Sequence, residues 1–274
     1  MHGATPGYAM PRLPRACPRR HEQEHARTMS DAHIVKAFDQ GLRELEGDII
    51  RMGHLAADEL ESALFALRKR NAELAEETIV RDREVDALRQ RVEDQAIQLI
   101  ARFQPLANDL RTVVAALRIA NDLERIGDLA KNIARRVITL AQEKPPKPLK
   151  KGLKRMGKLV LAQVRGVLEA YENRDAALAV EIWRNDEDVD EAYNALFREL
   201  LTYMMEDPRL ISLCAHLLFG ARNLERIGDH VTNIAESVHY IVTGQRLEES
   251  RPKSDDTSDI MLPRTHDEDE DEDD

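Results

Sequence analysis

Apolar residues recur every three to four positions through most of this chain, which is the spacing that places one face of an α-helix against a core. The pattern predicts six long helices in two sets of three, Asp31–Arg70, Ala72–Phe103 and Pro105–Gln142, then Leu149–Glu172, Ala176–Glu206 and Pro208–Thr243. No stretch alternates apolar and polar residues in the way that is typical of a half-buried strand. The pattern therefore indicates an all-α fold.

Residues with known preferences for helix ends mark several of these boundaries. Asn71 suits the N-cap of the second helix, and Pro105 suits the first turn of the third, where its missing N–H costs no hydrogen bond. Asp207 and Pro208 repeat this start for the sixth helix, and Gly244 supplies its stop. Since short connections between long amphipathic helices favour antiparallel neighbours, we expect two tandem, pseudo-symmetric three-helix bundles.

A tandem duplication explains the two sets of helices. The residues Leu-Glu-Arg-Ile-Gly-Asp occur at Leu123–Asp128 and again at Leu224–Asp229, and ten of the fifteen positions around each copy are identical. Arg-Met-Gly at Arg51–Gly53 likewise recurs at Arg155–Gly157. An offset that is nearly constant over a whole unit is the signature of a structural repeat.

The repeats divide the chain into five segments. These are a leader at 1–30, a first bundle at 31–142, a Pro- and Lys-rich linker at 143–148, a second bundle at 149–244 and an acidic tail at 245–274. The leader has four prolines, five arginines and no apolar stretch, so we expect it to be disordered, with Met29 as our candidate for the true start. The dense acidic run that ends the tail is typical of a disordered segment.

Charge and composition exclude several classes of function. The formal net charge of −11 argues against nucleic-acid binding, which needs a basic face. No apolar run approaches the ~20 residues that a spanning helix needs, so we expect no insertion into a membrane. The two cysteines, Cys17 and Cys214, indicate neither a disulfide framework nor a thiolate metal site. We therefore expect a reduced, cytoplasmic protein.

Carboxylates spaced four residues apart are the candidate chemistry. The third and second helices of each unit carry one such pair each: Glu124 and Asp128, Glu225 and Asp229, Asp82 and Asp86, and Asp186 and Asp190. Residues i and i+4 lie on one face of a helix, and with Leu123 and Ile126 turned to the core these acids fall on a separate, outward stripe. In an antiparallel hairpin the pairs face one another, which would gather four carboxylates in each unit.

Two interpretations of these clusters remain open at this point. A bound cation would offset the repulsion, and carboxylates without Cys or His suit hard cations such as Mg²⁺, Mn²⁺, Ca²⁺ or iron. Alternatively, nearby arginines neutralise the acids, namely Arg81, Arg83, Arg125 and Arg226. A metal-dependent hydrolase or oxidase is the alternative function, but the Glu-x-x-His spacing of ferritin-like di-iron sites is absent. No phosphate loop, nucleophile elbow or zinc motif is present, so we expect no catalytic residues.

Two smaller features carry structural expectations. Gly127 and Gly228 lie between the acids of the two hexapeptides, where glycine costs about 1 kcal/mol of helix stability. We therefore expect a neighbouring helix to approach closely there. Trp183 aligns with Ile79 of the first unit and is expected in the core.

Together these motifs resemble the PhoU family of bacterial phosphate-transport accessory and regulatory proteins. The resemblance covers about Ala32–Gly244 and rests on the two hexapeptides with their trailing Asn-Ile-Ala, on Gln-Pro-x-Ala-x-Asp-Leu-Arg at Gln104–Arg111, and on Met52-Gly53. It implies two three-helix bundles whose Glu/Asp-x-x-x-Asp motifs bind metal ions on the bundle surface, and all eight acids named above match those motifs. The second unit departs from the family by having Glu206–Ser212 in place of the Gln-Pro stretch.

The resemblance also implies a regulator without enzymatic activity. PhoU proteins act between the phosphate-specific ABC transporter, including its ATPase subunit, and the PhoR sensor histidine kinase. When phosphate is plentiful they restrain uptake and keep the phosphate-starvation (Pho) response off. We expect a homodimer, given the long amphipathic helices, in the cytoplasm and peripheral to the inner membrane through its partners.

Overall fold

The computed structural model describes residues 19–247, with side chains described from residue 35 onward. Over this range the backbone forms seven α-helices and one 3-10 turn, without a strand. They are α1 (Arg19–Lys69), α2 (Ala72–Phe103), α3 (Ala107–Thr139), α4 (Lys147–Asn173), α5 (Ala176–Arg184), α6 (Glu187–Glu206), the turn Pro208–Leu210 and α7 (Ile211–Thr243). Helices α1–α3 form the first bundle and α4–α7 the second, which confirms the predicted all-α fold with two tandem bundles.

Two predicted helix ends are confirmed, at Asn71 and Gly244, while the sixth predicted helix begins as a 3-10 turn at Pro208 and becomes α-helical only at Ile211. The Asn71 side chain accepts a hydrogen bond of 3.1 Å from a backbone N–H in the first turn of α2. Asp207 accepts a bond of 3.0 Å from the N–H of Arg209, and Pro208 opens the 3-10 turn that leads into α7. Gly244 closes α7 in the left-handed conformation, with φ at 77°.

Only part of the two predicted terminal segments lies within the described residues, so the predictions for them are tested only in part. Helix α1 begins at Arg19 and not at Asp31, so its first turns lie inside the segment that was expected to be a disordered leader. Met29 lies within these turns, and its identification as the true start stays a prediction. Residues 1–18 and 248–274, which include nearly all of the predicted acidic tail, lie outside the described residues.

The third helix is shorter than predicted at both ends. Gln104 and Ala107 both take the left-handed conformation, with φ at 48°, so Pro105 lies in the connection before α3 and not in its first turn. The physical reason is that Gln104 ends α2 as its left-handed C-cap, so it cannot also take the extended conformation of an N-cap, which Leu106 takes instead. Helix α3 ends at Thr139 instead of Gln142.

The linker lies nearer the N-terminus than predicted, because α3 ends early and the prolines of the linker take part in the start of α4. That helix begins at Lys147 rather than Leu149, with Pro146 as its N-cap and Pro148 in its first turn. The N–H groups of a first turn have no helical partner, so a proline there removes no hydrogen bond. The non-helical connection therefore spans residues 140–146 instead of 143–148.

The fifth predicted helix, Ala176–Glu206, is interrupted at Asn185 and Asp186, which separate α5 from α6. Side chains of this kind compete with helical backbone bonds, and the Asn185 carbonyl accepts a bond of 2.9 Å from Nε2 of Gln163. The interruption makes Asp186 the N-cap residue of α6. Trp183, just before it, is buried as predicted.

Helices α1 and α4 pack closely at two equivalent points, while α3 and α7 form a second contact between the bundles. A Cβ atom at Gly53 would clash with the side chain of Leu168, and one at Gly157 would clash with Leu64. Each contact becomes the other when the residue numbers are shifted by the repeat offset, as a pseudo-twofold axis requires. The recurrence of Arg-Met-Gly in the sequence is explained by this close packing.

Candidate metal-binding carboxylate clusters

Helices α2 and α3 bring the first set of predicted acids together. Asp82 is buried, Glu124 and Asp128 are half-buried, and Asp86 is exposed. The ammonium of Lys131 lies between the helices, with Nζ 2.5 Å from Oδ2 of Asp82 and 2.5 Å from Oδ1 of Asp128. The two helices therefore hold Asp82 and Asp128 against one shared cation.

Lys131, which the sequence pattern does not single out, is the nearest cation to these two acids. Burial alone would lower the pKa of Lys131, but its hydrogen bonds with Asp128 and Asp82 outweigh burial and raise it. Among the predicted arginines, Arg125 lies 3.5 Å from both Glu124 and Asp128 and is half exposed. Neutralisation by arginine therefore contributes, but the buried part of the cluster depends on Lys131.

Glu59 on α1 adds a further acid that the sequence-based prediction missed. It is fully buried, and neither of its carboxylate oxygens has a hydrogen-bond partner among the described residues. Burial, followed by repulsion from Asp82, raises the pKa of Glu59 to about 8. A signal was present, because Glu59 lies at helical spacing from Ala56 and Ala63 on an otherwise apolar face.

Two other acids of this cluster are also harder to ionise than usual. Burial raises the pKa of Asp82, although the hydrogen bond from Lys131 acts in the opposite direction. Burial and then the charge of Asp128 raise the pKa of Glu124. Desolvation disfavours the charged form of a carboxyl group, so positive charge brought to this cluster is stabilising.

Helices α6 and α7 form the second cluster. Asp186, Asp190 and Glu225 are buried and Asp229 is half-buried. The guanidinium of Arg222 donates to Oε1 of Glu225 at 2.9 Å. This cluster is therefore more deeply enclosed than the first.

The prediction that the hexapeptide acids face outward is wrong for Glu225, which is only 6% exposed. The angular separation of the stripe from Leu224 and Ile227 is real, but Glu225 accepts a hydrogen bond from Arg222 instead of facing water. A helix in a bundle contacts neighbours on more than one side, and the residue pattern of one helix alone does not show this.

The glycines of the two hexapeptides lie against these carboxylates, which confirms the predicted close approach. A Cβ atom at Gly127 would lie 3.3 Å from both Oδ1 of Asp82 and Oε2 of Glu59. A Cβ atom at Gly228 would lie 2.8 Å from Oδ1 of Asp186. Glycine therefore makes room for oxygen atoms from neighbouring helices at the same place in both repeats.

The two clusters differ in charge at aligned positions. Glu59 of the first repeat is replaced by Gln163 in the second, and Lys131 is replaced by Thr232. Glu59 and Gln163 nevertheless share one property, because each has a buried side-chain oxygen without a hydrogen-bond partner among the described residues. The two repeats therefore share a buried side-chain oxygen without a hydrogen-bond partner among the described residues, but they differ in the charges around it.

Hard cations fit the donor chemistry of both clusters, although the side chains do not form a closed site as they stand. Within the described residues, no three Asp, Glu, His or Cys side chains converge closely enough to hold a metal ion. In the first cluster the space between Asp82 and Asp128 is filled by the Lys131 ammonium. Carboxylate and amide oxygens are nonetheless the ligands that such cations prefer, and the orphaned oxygens of Glu59 and Gln163 lack other partners.

A polar contact between the bundles contains three residues that the sequence-based prediction did not assign to any site. Nδ1 of His230 on α7 lies 2.9 Å from Oδ1 of Asp122 on α3, and Asn233 donates to the same oxygen at 3.3 Å. His230 aligns with Leu129 of the first repeat, so it has no symmetric counterpart. This contact fastens α3 to α7 and stands apart from the repeated carboxylates.

The helices between residues 19 and 247 include none with the length and apolar composition that crossing a membrane requires.

The PhoU domain family matches residues 49–137 and 153–238, one match in each bundle.

Curated proteins with similar sequences include the phosphate-specific transport system accessory protein PhoU homolog of Caulobacter vibrioides (strain NA1000 / CB15N). It is 48% identical over 81% of this chain and 97% of its own length. The corresponding protein of Rhizobium meliloti (strain 1021) is 47% identical over 84% of this chain and 97% of its own length.

Solved structures show the same likeness. The crystal structure of PhoU from Pseudomonas aeruginosa is 36% identical, with a TM-score of 0.74 over 76% of this chain and 100% of that one. The phosphate transport system regulatory protein PhoU from Streptococcus pneumoniae is 32% identical, with a TM-score of 0.72 over 77% of this chain and 100% of that one. Sequence and structure agree across both repeats, and the chain belongs to the PhoU family.

Proposed function

We propose that this chain is an accessory protein of a phosphate-specific transport system, which restrains phosphate uptake and keeps the phosphate-starvation response off when phosphate is plentiful. The observation that carries the proposal is the similarity to curated accessory proteins over 97% of their length. The family consists of regulatory accessory proteins and not of enzymes, so the expectation of a non-enzymatic chain holds and a hydrolase or oxidase is not favoured.

The partners in this proposal are the ATPase subunit of the transporter and a PhoR-type sensor kinase, which this chain connects as an adaptor in the cytoplasm, next to the inner membrane. Apolar side chains on the helix surfaces support an adaptor role, among them Val80, Ile97 and Phe219, each more than half exposed. Exposed apolar surface is commonly used for protein contacts. A second copy of the chain would use part of the same surface, so the proposal includes a homodimer.

The carboxylate clusters serve this role, in the proposal, by binding hard cations, with Mg²⁺, Mn²⁺, Ca²⁺ and iron as candidates. The residues that would hold them are the eight predicted acids, Glu124, Asp128, Glu225, Asp229, Asp82, Asp86, Asp186 and Asp190. A bound cation would offset the cost of burying neighbouring carboxylates and would tie α2 to α3 and α6 to α7. Support comes from the donor chemistry and from the orphaned oxygens of Glu59 and Gln163.

Elemental analysis of the purified full chain tests the cation sites. We expect stoichiometric divalent metal or iron in the wild type and its loss when Glu124, Asp128, Glu225 and Asp229 are all replaced by Ala. The matched control replaces four exposed acids outside the clusters, Glu76, Glu84, Asp94 and Glu191. Equal metal content in the wild type and the cluster variant would show that the ligand assignment is wrong.

Uptake of labelled phosphate by cells grown in plentiful phosphate tests the accessory role. Deleting the gene is expected to raise the uptake rate, and a plasmid copy of the gene is expected to restore the lower rate. A strain that also lacks the transporter is the control, since its uptake should not respond to the deletion. An unchanged uptake rate after deletion would contradict the proposal.

A further inference from the structure

A groove lies between the C-terminal turns of α1, the connection between α3 and α4, and the N-terminal half of α4. It encloses about 320 Å³. Leu64 of α1 and Leu149 and Leu153 of α4 form an apolar floor, to which α7 adds Leu217. The groove is distinct from both carboxylate clusters, none of whose predicted acids line it.

The rim of this groove is strongly basic, although the chain as a whole has a net charge of −11. Six cations line it, namely Arg68, Arg70, Lys144, Lys150, Lys154 and Lys158. The acid among its lining residues, Glu61, is engaged by Arg165 at 2.7 Å. Within the described residues Lys150, Lys154 and Lys158 form no ion pair, so their charges are available to a ligand.

The position of these lysines does not serve the stability of α4 itself. The positive end of a helix dipole lies at the N-terminus, where cations are unfavourable and acids are favoured. Helix α4 has no acid in its first turn and carries Lys147, Lys150, Lys151 and Lys154 within its first turns. A negatively charged ligand would explain why these lysines lie at the positive end of the helix dipole.

The same chain contains a segment with matching chemistry. Ile260, Met261, Leu262 and Pro263 form a short apolar run, and residues 267–274 are all Asp or Glu. This order, apolar and then acidic, complements a groove with an apolar floor and a basic rim. Both attractions act together only when the apolar run lies in the groove and the acidic run lies along the lysines.

The connecting chain is long enough to reach. Along α7, Leu217 in the groove and Thr243 at the C-terminus are about 39 Å apart at 1.5 Å per residue. The chain from Gly244 to Met261 spans up to about 56 Å when extended. The segment can therefore return along the outside of the second bundle to the groove.

We propose that residues 260–274 bind in this groove of their own chain, with Met261 and Leu262 against the apolar floor and the acidic run against Lys150, Lys154 and Lys158. The bound segment covers a basic, apolar surface on a chain whose net charge is −11. An acidic partner that uses the groove must displace it, so the segment acts as an internal competitor.

Zero-length carbodiimide cross-linking of the full chain, followed by mass spectrometry, tests this proposal. The reagent joins carboxylates to amines that are in direct contact. We expect cross-links from Lys150 to residues 267–274, with a yield that falls as the ionic strength rises. In a mixture of light and isotopically heavy protein, the cross-linked peptides should be all light or all heavy, as contact within one chain requires.

Two matched variants make the test specific. Lys154→Gln/Lys158→Gln should lower the yield at Lys150 about fivefold, the effect of losing two exposed ion pairs. Lys151→Gln/Arg155→Gln removes the same charge from the face of α4 outside the groove and should leave the yield unchanged.

Met261→Gln/Leu262→Gln, which keeps every charge, should also lower the yield at Lys150, because the apolar run is the second half of the contact. Absence of cross-links at Lys150, equal loss in both charge variants, or peptides of mixed isotope would each contradict the proposal. Sedimentation of the full chain with vesicles rich in phosphatidylserine, weakened only by Lys154→Gln/Lys158→Gln and without cross-links to the tail, would assign the groove to a membrane surface instead.

Discussion

At the scale of single residues, the charge balance of the first cluster depends on Glu59, Asp82 and Lys131. Glu59 is buried without a hydrogen-bond partner among the described residues, while Asp82 is held by the Lys131 ammonium. The spacing of the acids predicted Asp82 and Asp128, because residues on one face of each helix meet across a hairpin. Glu59 was missed although its place on the apolar face of α1 could have indicated a buried acid, and Lys131 was missed because a single base on a helix has no periodic signal. Only the packing of three helices brings the two residues together.

The buried carboxyl of Glu59 predicts a specific dependence of stability on pH. Its pKa is raised from 4.5 to about 8 in the folded chain, so its stabilising effect is complete below pH 4.5 and is lost as the pH rises through 8. In the presence of a chelator, the free energy of unfolding of the wild type minus that of Glu59→Gln should fall by about 4 kcal/mol across this range. Urea unfolding at a series of pH values measures it. Asp58→Asn, at an exposed neighbour, is the control, and a flat curve for Glu59→Gln would refute the assignment.

The position of Lys131 predicts that its ammonium and a bound metal ion can replace each other between the carboxylates of Asp82 and Asp128. Replacing it by Thr, the residue of the second repeat, leaves Asp82 and Asp128 without their shared cation. With chelator present we expect Lys131→Thr to lower the free energy of unfolding by about 3 kcal/mol, as for a broken buried ion pair. Added Mn²⁺ should restore much of this loss, since the cation takes the place of the ammonium. Lys151→Thr on the exposed face of α4 is the control, and a loss in Lys131→Thr that Mn²⁺ leaves unchanged would argue against a cation site there.

At the scale of elements, the sequence predicted which segments are helical better than where they begin and end. A long periodic pattern of apolar residues identifies a helix because helices are stabilised mainly by burying one face. Two helix ends were predicted correctly from local signals, the hydrogen bond that Asn71 accepts at the start of α2 and the left-handed conformation of Gly244 at the end of α7. The predicted start of α3 was wrong because Gln104 serves as the left-handed C-cap of α2, which leaves Leu106 as the N-cap of α3. The break at Asn185 depends on a hydrogen bond from Gln163, which is distant in sequence and gives no local signal.

The close contact of α1 with α4 predicts opposite effects of the same substitution at different glycines. Gly53→Ala/Gly157→Ala inserts methyl groups against the side chains of Leu168, which is buried, and Leu64, which is half-buried. The double substitution should lower the free energy of unfolding by about 2 kcal/mol despite the better helix propensity of alanine. Gly47→Ala, where no atom lies within 4 Å of the new Cβ, should be neutral or raise stability by up to about 1 kcal/mol. Thermal and denaturant unfolding compare the two, and stabilisation by the double substitution would show that the helices are not closely packed at these points.

At the scale of the whole molecule, two copies of one bundle are joined by a pseudo-twofold contact and have acquired different charges. The repeated hexapeptide holds each bundle together through its apolar residues, while its acids meet those of the neighbouring helix. The duplication and the all-α fold were readable from the sequence because both copies keep the same spacing. The asymmetry between Lys131 and Thr232 is also visible in an alignment of the repeats, but its meaning appears only when Lys131 is seen between Asp82 and Asp128.

In the cell, this chain is proposed to keep the phosphate-starvation response off when phosphate is plentiful. An alkaline-phosphatase reporter of that response, measured in high phosphate in strains with and without the gene, tests it most directly. We predict low output in the parent, high output after deletion, and low output again when the full chain is supplied from a plasmid. Output that stays low after deletion, with the reporter still responding to phosphate starvation, would contradict the claim.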